Sequence, residues 1–453
     1  MTDNSGLLPN SQALPDELMF GRLKPSAANA RSYRASIQPT NKSTFYGGDT
    51  CIMQIPCGRR NTFIDTNQSY IKYTIVNNDT NNTINLDSNG ACVINRLDVF
   101  HASNLLESVQ QYNVLYTYLL DFTLNQSVKS SLSAIYGNSS TNRNGAQLST
   151  TANKLTVCMP VLSGVIGPLL DRMLPVCVLN DDIRLEFTFE ANNTAVAYAN
   201  SNATKTAWSI TGVELELCYL ELSDSAMSII NGVSPLTDTV FLHTSSWRHY
   251  VSSLASGTAG TYSTLVPARF ASTKTLVLCP RRQTEIVDVS SYSLSSRVNP
   301  GIDQYWWRVG SALIPQKYVT LKSSTGLVAG YAEAFMEIQK SFHSLSHTEL
   351  TGSITPGVYS TADVADATVG SGGVTAPNTG TNSFLNAFAI AQELETYANK
   401  SDVMISGLNT LSAQTFFECN IGTGPTTGYT LDFYAQFDMI LVKDQNGILS
   451  ARF

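Results

Sequence analysis

Residues 209–222 read SITGVELELCYLEL and residues 429–442 read YTLDFYAQFDMILV. In the first, Val213, Leu215, Leu217 and Tyr219 alternate with Glu214 and Glu216. In the second, Tyr429, Leu431, Phe433, Ala435, Phe437, Met439 and Leu441 alternate with Asp432, Gln436 and Asp438. Neighbouring side chains of a strand point to opposite faces, so each stretch is a long strand with one face on a core. The 453-residue chain therefore divides into two halves, each closing on a long strand.

Working outward, each half holds seven or eight strand-like segments. The first has CIMQIPC (51–57), SYIKYTIVN (69–77), ACVINRLDVF (91–100), KLTVCMPVL (154–162), PVCVL (175–179) and DIRLEFTFE (182–190). The second has TVFLHTSSW (239–247), STLVPARF (263–270), TKTLVLCP (273–280), DQYWWRVG (303–310), QKYVTL (316–321) and QTFFECNIG (414–422). Each half also carries one helical segment. NLLESVQQYNVLYTYLLDF (104–122) has three- and four-residue apolar steps, and Asn104 with Glu107 has the form of a capping box. AEAFMEIQKSFHSL (332–345) is its counterpart. NNDTNNTINLDSNG (77–90) reads as a polar turn, 125–153 as an exposed loop, and 191–207 and 351–383 as further polar loops. Residues 1–40 carry Pro9, Pro15, Pro25 and Pro39 without a strand or helix period, which predicts an arm. The predicted layout is an arm over 1–40, a first unit over 41–222, a helical linker over 223–238 and a second unit over 239–453. No 20- to 50-residue repeat favours a solenoid or propeller. The fold class that fits is all-β, two tandem eight-stranded jelly-roll sandwiches with a few inserted short helices.

Composition agrees. Charged residues are only 14% of the chain, against about 25% in ordinary soluble domains, and 34 Asn with abundant Ser and Thr carry the polarity instead. That excludes a charge-laced helical protein, and no apolar run approaches the roughly 18 residues of a membrane helix. The sequence start lacks a basic, apolar secretory pattern, which predicts synthesis in the cytoplasm without a signal peptide. The eight cysteines form no CxxC pair and read as free, mostly buried thiols. The net charge of −7 is unevenly spread. Arg22, Lys24, Arg31, Arg34 and Lys42 lie in an acid-free stretch from Leu18 to Gly48, whereas 341–399 contains acids and no Lys or Arg. The basic arm is either a solvated tail or a strap against neighbouring subunits or an anionic surface, such as a packaged genome or an internal membrane.

No constellation points to an enzyme. GTGPTTG (422–428) lacks the Lys of a phosphate loop and contains Pro425. His343, His347 and Glu349 have metal-like spacing, but Ser344 stands where a zinc protease carries its base, so a helix end is the plainer reading. Asp181 and Asp182 read as a turn, and Trp306 and Trp307 as one outward and one inward ring rather than a sugar platform. The expectation is no catalytic residue, no metal and no cofactor.

Four segments resemble the double jelly-roll major capsid proteins of double-stranded DNA viruses, in the branch of eukaryotic large DNA viruses, polinton-like viruses and virophages. They are NRLDVFHASNLLESVQQYNVLYTYLLDF (95–122), MPVLSGVIGPLLDRMLPVCVLNDDIRLEFTFE (159–190), DQYWWRVGSALIPQKYV (303–319) followed by AEAFMEIQKSF, and LDFYAQFDMILVKDQNGILSARF (431–453). The resemblance implies a homotrimeric, pseudo-hexagonal capsomer that tiles an icosahedral shell and so resides in the virion. Its partners would be neighbouring capsomers and minor capsid or penton proteins. The basic arm would face inward, toward genome or membrane, and 351–383 would be an outer tower or trimer contact. The competing readings are a minor capsid or spike component and a glycan-binding tandem β-sandwich.

Overall fold

The computed structural model describes residues 29–124, 126–138, 145–192, 194, 197–199, 207–233, 235–289, 291–321, 331–342, 354, 359, 387–396 and 405–453. Two sheets form the first sandwich. One runs, in spatial order, Ala30–Ile37, Trp208–Leu222, Thr62–Asn77, Lys154–Pro160, with Thr44–Tyr46 also pairing on Trp208–Leu222. The other runs Thr50–Ile55, Ile183–Phe189, Ile94–His101, Asn104–Gln110. The second half repeats the plan with Val240–Leu254, Tyr429–Lys443, Thr273–Arg282, Ile390–Glu393 against Gly260–Val266, Thr415–Ile421, Ile302–Val309, Ala312–Thr320.

Numbering the eight principal strands of either half along the chain, the sheets read 1-8-3-6 and 2-7-4-5, and the pairings are antiparallel. In both halves the long closing strand lies in the middle of its sheet. That position explains its alternation: Leu215, Leu217 and Tyr219 are fully buried, as are Tyr429 and Leu441. In both halves a helix follows the fifth strand, Tyr112–Thr123 in the first and Ala332–Ser341 in the second. The linker helix is Asp224–Val233.

Three expectations change. The arm reading fails for Ala30–Ile37, which is the first strand of the first sandwich, paired along its length with Leu215–Leu222. It is an edge strand with one exposed face, so only Tyr33, Ala35 and Ile37 turn toward the core and the apolar signal is thin. The capping box at Asn104 and Glu107 fails as well, because Asn104–Gln110 is a strand and the helix starts at Tyr112. Val109 pairs with Leu97, and Leu106 falls at an irregularity in the pairing with Ile94–His101, so both are buried although their three-residue spacing also fits a helical stripe. The polar stretches are also less loop-like than their composition suggests: 77–90 holds the strand Ile84–Leu86, and 125–153 holds two short helices and the strand Gln147–Leu148.

The apolar core is continuous across both halves, from Phe45 and Ile64 to Phe433 and Leu449. Trp307 is fully buried against Phe417 and Phe433, whereas Trp306 turns outward and donates to Glu418 Oε2 at 2.6 Å. All eight cysteines are free; Cys51, Cys92, Cys279 and Cys419 are buried and the other four half-buried.

Candidate functional site: the seam between the two sandwiches

Several of the buried charged residues lie where the halves meet. Asp87, fully buried, leaves the first half and enters a loop of the second. Its carboxylate accepts from the backbone N–H groups of Ser293 (2.7 Å), Leu294 (2.7 Å) and Ser295 (3.0 Å) and from Ser295 Oγ (2.5 Å). Three successive amides converging on one anion form a nest. Burial pushes the Asp87 carboxyl up, and these donors oppose the shift.

Asp121, on the first helix, does the reverse job. Its Oδ2 accepts from Arg297 Nη2 of the second half at 2.8 Å and its Oδ1 from Lys129 Nζ at 3.0 Å, with all three side chains at most 1% exposed. Arg297 also donates to the carbonyls of Leu294 (2.6 Å) and Phe388 (3.4 Å). Glu107 is another buried acid at the seam. It accepts from Ser163 Oγ, from Gly164 N at 2.9 Å and, across the seam, from Ser246 Oγ. Burial raises its carboxyl, again against those donors.

Two further groups tie the helix start to the second half. Gln111 sits at φ 46° ahead of the helix with no side-chain cap. Its Oε1 accepts from Arg281 Nη2 at 3.1 Å and its carbonyl from Tyr434 Oη at 2.8 Å. Arg281 in turn donates to Asp432 Oδ2 at 2.7 Å, and His249 Nε2 lies 2.9 Å from Asp432 Oδ1. Burial alone would raise Asp432, yet Arg281 and His249 hold its carboxyl below the ordinary value. Lys443, nearly fully buried, donates to the carbonyls of Leu236, Thr237 and Asp238 and so fixes the end of the linker. Each buried charge thus has charged or hydrogen-bonding partners, the condition under which burial is tolerated.

No protein-family model and no curated protein matches the sequence. Solved structures match along nearly its whole length. The PBCV-1 virus capsid aligns at TM-score 0.58 with 11% identity over 95% of this chain and 98% of that one. The Sputnik virophage structure gives 0.57 and 11% over 98% and 93%, and the mavirus major capsid protein 0.51 and 12% over 98% and 95%. The fold is a double jelly roll. At these identities the likeness is one of fold.

On the double jelly roll, the predicted basic residues separate. Arg22 and Lys24 lie outside the described residues. Arg31 and Arg34 are on the edge strand of the first roll, where Arg31 lies over the Tyr33 ring and Arg34 pairs with Glu216 at 3.0 Å and donates to Tyr70 Oη at 2.9 Å. Lys42 pairs with Asp49 at 2.7 Å. Two of the three described cations are therefore engaged by acids of the same roll. His343, His347, Glu349 and nearly all of 351–383 lie outside the described residues. Among the described residues no His, Cys, Asp or Glu cluster could hold a metal, and no helix is long and apolar enough to cross a membrane. Asp181 and Asp182 lie in a bend ahead of Ile183, with Asp182 accepting from Cys57 N.

The seam acids escaped the sequence reading. Asp87 hides in a run of Asn, Asp and Ser that resembles a turn, and Glu107 has the spacing of a helix cap. Asp121 offered a signal, since it follows Leu119 and Leu120 and precedes Phe122 on a helix buried on most sides. The double jelly roll also exposes large apolar side chains, chiefly Val233 (85%), Ile229 (68%), Val251 (65%) and Val287 (63%).

Proposed function

We propose that this chain is a major capsid protein whose trimers are pseudo-hexagonal capsomers of an icosahedral virion shell. The observation that carries the reading is the doubled roll itself: the same strand order twice in one chain, with a helix in the same connection, joined through a seam of buried charge. Three such chains present six similar sandwiches, and a ring of six suits hexagonal tiling. A buried polar seam fixes the angle between rolls, which a lattice needs because small angular errors accumulate over many subunits. The PBCV-1, Sputnik and mavirus structures supply the precedent, since they are described as a virus capsid, a virophage and a major capsid protein.

The remaining parts follow from that reading. The first roll begins at Ala30, the linker spans 223–238 and the second roll runs from 239 to 453. The segment before Ala30, with Arg22 and Lys24, is an arm on the inner side, facing genome or membrane. The neutral polar surface, with charged residues at 14%, limits repulsion between like subunits. Partners are two further copies, neighbouring capsomers and minor capsid or penton proteins, and the role is structural rather than enzymatic. Multi-angle light scattering of the purified chain tests the assembly unit: the reading predicts three times 49.1 kDa, and a stable monomer at micromolar concentration in native salt overturns it.

A further inference from the structure

The C-terminal strand, Leu449–Arg452, pairs with the centre strand of the second roll through Ile440–Lys443. Its first residue is held from the other side by the first roll. Leu449 N–H donates to His101 Nδ1 at 3.1 Å, and Leu449 C=O accepts from Asn104 Nδ2 at 3.2 Å. The His101 ring is fully buried and its Nε2 lies 3.0 Å from the Asp181 carbonyl. Since Nδ1 accepts a backbone N–H, it carries the lone pair, and the ring proton is on Nε2, where it donates to Asp181. Both nitrogens are committed, and only the neutral ring satisfies both contacts.

We propose that His101 is a pH-operated latch: the neutral ring pins the C-terminal strand to the first roll, and protonation releases that strand. A second proton would sit on Nδ1 and face the Leu449 N–H, donor against donor. The surroundings give the cation somewhere to turn. Asp181 and Asp182, in the bend before Ile183, and Asp444, on the turn before Leu449, all favour the protonated ring electrostatically. The other charges of the packed elements are occupied. Arg96 pairs with Asp98 on the ring's own strand, Arg184 with Glu186 on the next, Glu107 is held by its serines, and Lys443 is taken by the linker carbonyls. Arg452 lies at the far end of the C-terminal strand.

Burial outweighs the three carboxylates and holds the ring below the usual histidine range. A group depressed in this way leaves the latch intact above about pH 6.5 and loses it as pH falls through the lowered value. Proteins that assemble and disassemble in different compartments meet such a fall.

Hydrogen exchange read by mass spectrometry on the full chain tests this, with protection corrected for the intrinsic pH dependence of exchange. Between about pH 7.5 and about pH 5, protection of the 449–452 amides should fall at least about tenfold while that of 209–222 holds. His101→Gln cannot titrate, so its 449–452 protection should be the same at both pH values. Equal wild-type protection at both pH values, or the same fall in H101Q, overturns the latch. Should H101Q not fold, Asp444→Asn keeps an acceptor for the Ile448 N–H, 2.8 Å from Oδ1, and removes one charge that favours the imidazolium. The midpoint should then move to lower pH, and an unmoved midpoint overturns the proposal.

Discussion

Replacing Asp121 by Ala attacks the seam at its most charged point. The change removes the carboxylate shared by two buried cations, Lys129 and Arg297, whose side chains are 1% and 0% exposed, and it deletes bonds of 3.0 and 2.8 Å. Breaking a buried pair costs about 3–5 kcal/mol, because the surviving charge remains desolvated. Arg297 keeps two carbonyl partners, which softens the loss, so about 4 kcal/mol is expected. Arg297→Met should be milder, about 2 kcal/mol, since Lys129 retains Asp121 and a side chain of similar bulk fills the space. The double variant should be less damaged than the two losses summed, by about 2 kcal/mol, because Met removes one of the buried cations that had lost its carboxylate. Hydrogen exchange of the peptides 112–136 and 291–299 reads both sides of the seam. At about 1.4 kcal/mol per factor of ten, D121A should speed exchange roughly a thousandfold on both sides. Additivity within about 0.5 kcal/mol, or a loss confined to 112–136, would refute the view that this cluster couples the rolls.

Other consequences are simpler. Trp307→Ala should cost about 3–5 kcal/mol by denaturant unfolding, because it empties a fully buried site between Phe417 and Phe433, whereas Trp306→Ala should cost about 1 kcal/mol, the value of one partly exposed hydrogen bond. The thiols of Cys51, Cys279 and Cys419 are pushed up to about 12 by burial, so native protein near pH 8 should resist a thiol reagent at these positions and react there only after unfolding. Asp432 is held below its usual value by Arg281 and His249, so its contribution to stability is full above about pH 4 and is lost as pH falls through the lowered value; Asp432→Asn should flatten that part of an acid unfolding curve. Arg34→Ser should change stability by less than about 0.5 kcal/mol, since in its ion pair with Glu216 the Arg34 side chain is 66% exposed.

The strands that were legible from sequence are the ones buried on one face and polar on the other. Ile183–Phe189, Trp208–Leu222 and Tyr429–Lys443 announce themselves by alternation, and their count and spacing suffice to suggest two rolls. What escaped notice has two causes. The edge strand Ala30–Ile37 buries too little to stand out from its proline-marked surroundings, and Asn104–Gln110 has apolar positions that serve either period. The seam is hard to read for another reason: Asp87 and Glu107 look like turn and cap residues until a partner more than a hundred residues away is beside them, and only the apolar neighbours of Asp121 hint at burial. Of the basic stretch, Arg34 and Lys42 meet Glu216 and Asp49 within the first roll, while Arg22 and Lys24 lie outside the described residues.

The most direct test of the capsid reading is an electron cryo-microscopy reconstruction of particles containing this chain. It predicts a shell whose repeating tile is three copies, each with both rolls upright and the helix Tyr112–Thr123 against the loop of Ser293 to Arg297 within one chain. A shell built from another protein, with this chain absent or confined to a few sites, would contradict it.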